Sequence, residues 1–300
     1  MKKYSYLLVL INTLLYLSGC GEGHVDITDA SYSPKIVINA YIFGGQKVKD
    51  IKITRNIPLT QSIDTSTIIL QNALVKIIDL GNNKVYTLTY NPINYSFEYT
   101  GNDLIIDYGK SYKIDVQAII DGQDLHASST TVVPLSGLKA DKPDLGSMTY
   151  RETNANGDVN KINISFKPSG NSSATIFSIV ALDASVGSFI YNNYYYSETD
   201  TQKIAHALDR YKQNYAFQIN IAPGTQDFTM ALDWFTIWFY GRYRVIIYAA
   251  DKNFYDYFIT AQNVMELDGN FHEPQMHIDG DGIGVFGSAV TDTVYFSVKQ

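Results

Sequence analysis

The chain has 300 residues and a mass of 33.6 kDa, room for one large domain or two ordinary ones. Its formal charge of −7 and pI near 5.2 argue against nucleic-acid recognition, which needs a basic face. One cysteine rules out a disulfide framework and any multi-cysteine zinc site. Charged residues make up 18% and hydrophobic ones 45%, while tyrosines number 24 and prolines 8, a balance that favours strands over bundles or low-complexity tails.

Met1-Lys2-Lys3 is a short positive segment, followed by an apolar run from Leu7 to Leu17 interrupted at Asn12 and Thr13. The run is too short to span a bilayer, which takes about 20 apolar residues, and has the length of a signal-peptide core. It closes on Leu17-Ser18-Gly19-Cys20, with the chain's single cysteine last. The pattern is similar to the lipobox of bacterial lipoproteins, in which the cysteine is acylated after cleavage before it. Residues 1–19 are therefore expected to be a lipoprotein signal peptide and Cys20 the lipidation site. The competing reading, a buried free cysteine beside an ordinary cleavage site, leaves the small residues Ser18 and Gly19 without a role. Several acyl chains, at about 0.8 kcal/mol per buried CH2, would hold the protein on a membrane. Loss of Lys2 and Lys3 takes the charge from −7 to −9. Residues 20–33, polar and glycine-containing, read as a tether.

Strand patterns fill most of the remaining chain. Ile36, Ile38, Ala40 and Ile42 alternate with Val37, Asn39, Tyr41 and Phe43, a strand buried on both faces or nearly so. Gly44-Gly45 turns the chain, and Ile51 and Ile53 mark a half-exposed strand. Leu74–Asp79 and Lys84–Tyr90 flank Gly81-Asn82-Asn83, a hairpin signal. Tyr112, Ile114, Val116, Ala118 and Ile120 line a long strand that turns at Asp121-Gly122 and returns through Val133. These elements predict an N-terminal β-sandwich over 34–135. The Pro- and Gly-containing stretch 136–147 is expected to be a linker. A second sandwich-like domain over 148–300 is signalled by Ile162–Phe166, Ile176–Leu182, Phe217–Ile221, Tyr243–Ala249 and Val294–Val298. Helices are expected near 199–212, with Ile204, Leu208 and Tyr211 on one face, and near 251–265, with Phe254, Phe258, Ala261 and Met265 on one face and Asp251 as cap. Phe271–Gly287 is expected to lie across the second domain, covering the later helix and leading into the last strand.

Two segments resemble a known family. Pro34-Lys35-Ile36-Val37-Ile38-Asn39-Ala40-Tyr41-Ile42 leads into Ile51-Lys52-Ile53-Thr54-Arg55 near the start. Near the end, Asp251-Lys252-Asn253-Phe254-Tyr255-Asp256-Tyr257 leads into Phe271-His272-Glu273-Pro274 and Asp281-Gly282-Ile283-Gly284-Val285-Phe286-Gly287. The pattern is similar to that of the Bacteroidota lipoproteins of the domain-of-unknown-function 4249 family. Asn39-Ala40 and Asp281-Gly282-Ile283 depart from the usual residues, and Tyr191–Trp238 has no counterpart. The resemblance implies an immunoglobulin- or fibronectin-III-like β architecture, an outer-membrane or periplasmic lipoprotein, and genes beside TonB-dependent receptors. It supplies no catalytic residue.

Motifs for chemistry are weak. Gly280, Gly282 and Gly284 precede a strand rather than the helix that a phosphate loop needs, so close backbone packing explains them better. Asp279-Gly280-Asp281-Gly282 lacks the later oxygen ligands of an EF-type calcium loop, at Ile283 and Val290. Pro274 between His272 and His277 excludes a helical zinc motif. His206 and Asp209 could touch on one helix but have no nucleophile in context. No cofactor, metal or catalytic residue is expected. Tyr191, Tyr194, Tyr195 and Tyr196, beside Asn192 and Asn193, form the candidate surface for a ligand or partner, since exposed tyrosines stack on sugars and anchor proteins. Trp234, Phe235, Trp238, Phe239 and Tyr240 suit core packing at least as well.

These features predict a non-enzymatic, lipid-anchored envelope protein. It would serve a TonB-dependent transporter or another envelope protein, or bind a ligand. The alternative is a structural adhesin or surface-layer component, and an unrecognised hydrolase is a third reading. A neighbouring transporter gene would favour the first, a fimbrial cluster the second, and a pocket of convergent ionisable groups the third.

Overall fold

A computed structural model describes residues 32–58, 65–193, 196–197, 215–222, 224–261 and 273–300. The chain is mainly β, and its residues Pro34–Gln300 form one compact unit. The signal peptide and Cys20 lie outside the described residues, as do the expected 199–212 helix and the end of the 251–265 helix.

The first strands follow the alternation of the sequence. β1 (Ile36–Phe43) buries Ile36, Ile38, Ala40 and Ile42, and β2 (Lys52–Arg55) pairs with it antiparallel. A single helical turn, α1 (Thr65–Ile68), precedes β3 (Leu74–Asp79), which forms the expected hairpin with β4 (Lys84–Thr87). Asn83 takes the positive φ of 58° that such a turn requires. β5 (Thr89–Asn91) and β6 (Ser96–Glu98) form a small ladder. β7 (Ser111–Ile120) and β8 (Gln123–Val132) are the long hairpin turning at Asp121-Gly122.

The stretch 136–147 carries β9 (Lys139–Ala140) and the start of β10 (Asp144–Thr149). β11 (Ile162–Lys167) and β12 (Ala174–Ala181) come next, β12 buried at every position. Beyond them lie the short β13 (Asn192–Asn193) and β14 (Tyr196–Ser197), then β15 (Tyr215–Ile219), β16 (Phe228–Leu232) and β17 (Gly241–Ala250). Helix α2 (Lys252–Ala261) leads to β18 (Asp279–Gly280) and to β19, an 18-residue strand from Gly282 to Lys299.

β19 organises the molecule. Its first part pairs parallel with β1, from Ile36↔Gly282 to Phe43↔Ala289. Its second part pairs antiparallel with β17, from Ala250↔Ala289 to Gly241↔Val298, and parallel with β10. The resulting large sheet runs β15-β12-β17-β19-β1-β2, with β10 also joined to β19. A five-stranded sheet, β18-β8-β7-β3-β4, and a three-stranded sheet, β16-β11-β9, complete the main layers.

Strand alternation assigns the faces of β19. Phe286 enters a core built from β1, β3, β7 and their neighbours, while Val290, Val294, Phe296 and Val298 enter a second core with Ile164, Phe177, Val245 and Ile247. Odd-numbered Gly287 meets α2 on the other face, where an added Cβ would lie 2.8 Å from that of Phe254. Phe254 also packs on Tyr41 and Tyr248, with ring centroids 4.6 and 5.7 Å away. The order of elements along the sequence suggests Phe271–Gly287 as a cover for the second domain. Gly282–Gly287 instead pairs with β1, and Phe286, only 1% exposed, fills the first core. The segment does meet the helix as expected, through Gly287 against Phe254 and His277 against Asp256, while strand pairing over a long sequence separation sends Phe286 to the first core.

Gly284 is where the two segments meet most closely. Its φ is +107°, and a Cβ there would stand 2.1 Å from the Ile38 carbonyl oxygen. Phe286→Ala is expected to cost about 3–5 kcal/mol by leaving a cavity. Gly284→Ala should cost more than about 1–2 kcal/mol, because backbone strain adds to the overlap. Thermal melts of the two variants measure both.

Candidate functional site

An open cavity of about 850 Å3 lies at one end of the second core. Specific ligand pockets span about 300–1,000 Å3. Its walls are two loops and a neighbouring edge: the β11–β12 connection from Lys167 to Ser173, the β15–β16 connection around Asn220–Gln226, and Gly137 before β9.

Local hydrogen bonds fix these loops. Leu135 N donates to Gly170 O at 3.2 Å, Ser169 Oγ donates to Leu135 O, and Ser173 N donates to Ala250 O at 2.8 Å. Asn171 adopts a φ of 58°, which asparagine tolerates better than most residues. In the opposite wall Thr225 folds back, its N and Oγ1 both donating to Ala222 O. The side chains of Asn171 and Asn220 line the cavity and engage no other described group. Half of the lining residues carry hydroxyls or carboxamides, and Ile221 and Pro168 are its largest apolar members. Lys167 is the one charged side chain among the described lining residues. Asp227 lies one residue past the lining.

A smaller cavity of about 250 Å3 adjoins it and shares Asn171 and Ser173. Its far wall is the start of α2, with Asp251, Lys252 and Asn253. Asp251 caps that helix as the sequence suggests, Oδ1 accepting from Phe254 N at 3.0 Å. The same oxygen accepts from Ser288 N at 2.9 Å, and Oδ2 accepts from Thr131 Oγ1 at 2.6 Å. One carboxylate thus joins α2, β8 and β19. Burial pushes its pKa above the ordinary carboxylate range, against the pull of those donors. Asp256, one turn along α2, is buried beneath Lys252 Nζ at 2.5 Å and His277 Nε2 at 2.6 Å. Burial raises its pKa, but these two partners outweigh burial and hold it below the usual range. The two carboxylates are locked in structural bonds that tie α2 to β8, β19 and the 273–278 segment.

The residues singled out in the sequence are scattered. Tyr191 is 42% exposed, with its ring edge-on to Phe189 at 5.4 Å. Tyr194 and Tyr195 lie outside the described residues, and Tyr196 is placed only by its backbone pairing with Asn193. Trp234, Ile237 and Phe239 are buried in the second core, where Trp234 Nε1 donates to Asn160 O at 2.6 Å. Gly280 sits with φ +83° against the His126 carbonyl, so that glycine serves backbone packing. His277 pairs with Asp256, while His272, His206 and Asp209 lie outside the described residues. Among the described residues no cluster of three His, Cys, Asp or Glu could hold a metal. The cavity does not announce itself in the sequence, although Pro168-Ser169-Gly170-Asn171-Ser172-Ser173 is a polar turn run that could have flagged one wall.

Sheets facing one another around two cores, with a polar cavity between loops at one end, define a multi-sheet β protein whose candidate site is built from connections. The chain belongs to the family described as a domain of unknown function (DUF4249), whose model matches residues 23–293. No curated protein matches it. A solved structure concerned with host cell surface retention of a 1.5-MDa bacterial ice-binding adhesin is similar at 13% identity and a TM-score of 0.22, covering 89% of this chain and 65% of that one. A tetra-tandem repeat in the extending region of a large adhesion protein is similar at 8% identity and a TM-score of 0.21, covering 87% and 49%. The chain thus spans about two thirds and half of their lengths, and likenesses this distant say nothing of its role.

Asp251 offers a test of the cap. Between the ordinary carboxyl pKa and its raised folded value, the folded chain binds more protons than the unfolded one. Stability from this group is therefore present at low pH and lost as pH rises through that window. Asp251→Asn keeps an acceptor for Phe254 N and Ser288 N, so melts should show the wild type losing ground to it as pH rises above the ordinary carboxyl range. Asp251→Ala should cost at least about 1–2 kcal/mol at any pH.

Proposed function

We infer that the chain is a non-enzymatic, lipid-anchored cell-envelope protein that binds a ligand or partner, as an accessory to an outer-membrane, TonB-dependent transporter. The observation that carries this reading is the closure of the apolar run Leu7–Leu17 on Leu17-Ser18-Gly19-Cys20, the single cysteine. The matched family region begins just after it, at residue 23. Between Cys20 and β1 the chain reaches roughly 50 Å when extended, at about 3.3–3.6 Å per residue. That reach allows the body to meet a neighbour embedded in the same membrane. Binding fits the cavity chemistry, since its described lining offers amides and hydroxyls suited to hydrogen-bonding a polar ligand.

Cys20→Ala tests the anchor. In cells fed a fatty-acid probe, the wild type should carry label and sediment with membranes. The variant should carry none and accumulate as a soluble or uncleaved species. Label retained on the variant would contradict the reading.

A further inference from the structure

We propose that the 850 Å3 cavity is a binding site for an acidic oligosaccharide, a chain of sugar hydroxyls bearing a carboxylate or sulfate substituent. The inference rests on reading the cavity as the ligand site of the protein, and it adds the chemical class of the ligand.

Three observations carry it. First, the lining is matched to hydroxyl groups. Each sugar hydroxyl both donates and accepts, and so does each serine, threonine or carboxamide in the walls. Asn171 and Asn220 line the cavity from separate loops with their amides unused by the described protein, while the backbone around Asn171 is fixed by the Leu135–Gly170 bond. Unused polar groups on a fixed frame lose little freedom when a ligand engages them. The apolar part of the wall is spread over small groups, with Ile221 and Pro168 the largest members, so it can underlie the carbon face of a sugar ring without forming a deep pocket for a bulky apolar side chain.

Second, the charge at the cavity opposes that of the molecule. The chain carries 30 acidic against 23 basic residues, yet no described lining residue is acidic and Lys167 is basic.

Third, Lys167 is paired across the strands with another lysine. β11 and β9 place Lys167 directly opposite Lys139, and both side chains are exposed. Directly opposed residues of an antiparallel pair have Cβ atoms about 4.5–5.5 Å apart, and like charges there are destabilising. Neither lysine has a carboxylate partner among the described residues. This opposition of like charges, which includes the lining residue Lys167, would be relieved by an anion bridging the two ammonium groups. A sugar chain lying in the cavity would bring its acidic substituent to that pair.

Titration calorimetry on the detergent-solubilised full-length protein tests the proposal. The probes are a neutral oligosaccharide, a uronate-containing one and a sulfated one of equal length, with an acidic peptide as comparison. At least one acidic sugar should bind tenfold or more tightly than the neutral chain, and the difference should shrink as salt rises. The uronate and sulfate arms show which substituent the lysine pair prefers. The double variant Lys139→Gln/Lys167→Gln should lose that preference while melting no lower than the wild type, since it removes a repulsion. Asn171→Gly, which removes the carboxamide and keeps the positive φ without strain, should weaken every sugar while melting close to the wild type, and sugar binding left unchanged by it would count against the proposal. Equal binding of neutral and acidic sugars, a preference that survives loss of both lysines, tighter binding of the acidic peptide, or no sugar binding would each overturn the proposal. Fatty-acid labelling at Cys20 reads the anchor separately, so failure of one reading is not mistaken for failure of the other.

Discussion

The close approach of Gly284 to the backbone of Ile38 governs how the whole chain is put together. β19 joins β1 in parallel register only if the two backbones come together at that point, and a Cβ at residue 284 would occupy the space of the Ile38 carbonyl. With the register set, period-2 alternation distributes the remaining residues. Phe286 reaches the first core, Val290 to Val298 reach the second, and Gly287 receives the helix on the opposite face. A one-residue slip would present Val285 and Gly287 where Phe286 now packs, and would remove the largest β19 side chain from the first core. The strand is therefore a common member of two apolar cores. The Asp251 carboxylate, bonded to Thr131 and to Ser288 N, reinforces the junction from the helix side.

Much of this was legible in the sequence, for a physical reason that also explains the failure. Strands whose side chains alternate by burial, such as Ile36–Phe43 and Ser111–Ile120, declare themselves through branched and aromatic residues at every second position. The Gly81-Asn82-Asn83 hairpin and the Asp251 cap are local, and local chemistry decides them. β19 was legible only at its end, Val294–Val298. Its first half contains Gly282, Gly284 and Gly287, which weaken any strand signal while permitting the contacts that place the strand. Phe286 showed its need for burial, but not which core would receive it, because pairing with β1 spans about 250 residues of sequence. The cavity was illegible for a related reason. Lys167 and Lys139 become neighbours only through the β11–β9 pairing, and Asn171 and Asn220 share a cavity only where two loops converge.

Charge links the candidate site to the fold. Some exposed acidic groups are engaged by partners of opposite sign: Arg242 holds Asp183 with two guanidinium nitrogens, and Lys84 holds Asp103, in both cases lowering the carboxyl pKa to about 2 through hydrogen bonding. Such exposed pairs contribute little to stability in water. Lys167, which lines the cavity, faces Lys139 across the β9–β11 pairing, and no described lining residue is acidic.

A strand shared by both cores should make them one cooperative structure. Native-state hydrogen exchange across a denaturant series measures this directly, by following amides of β7, which belongs to the first core, and of β12, which belongs to the second. The slowest amides of both strands should exchange through one global unfolding reaction, with the same free energy and the same denaturant dependence. Two separate unfolding reactions, with β7 and β12 exchanging at different free energies while β19 remains protected in one of them, would contradict the role given to β19.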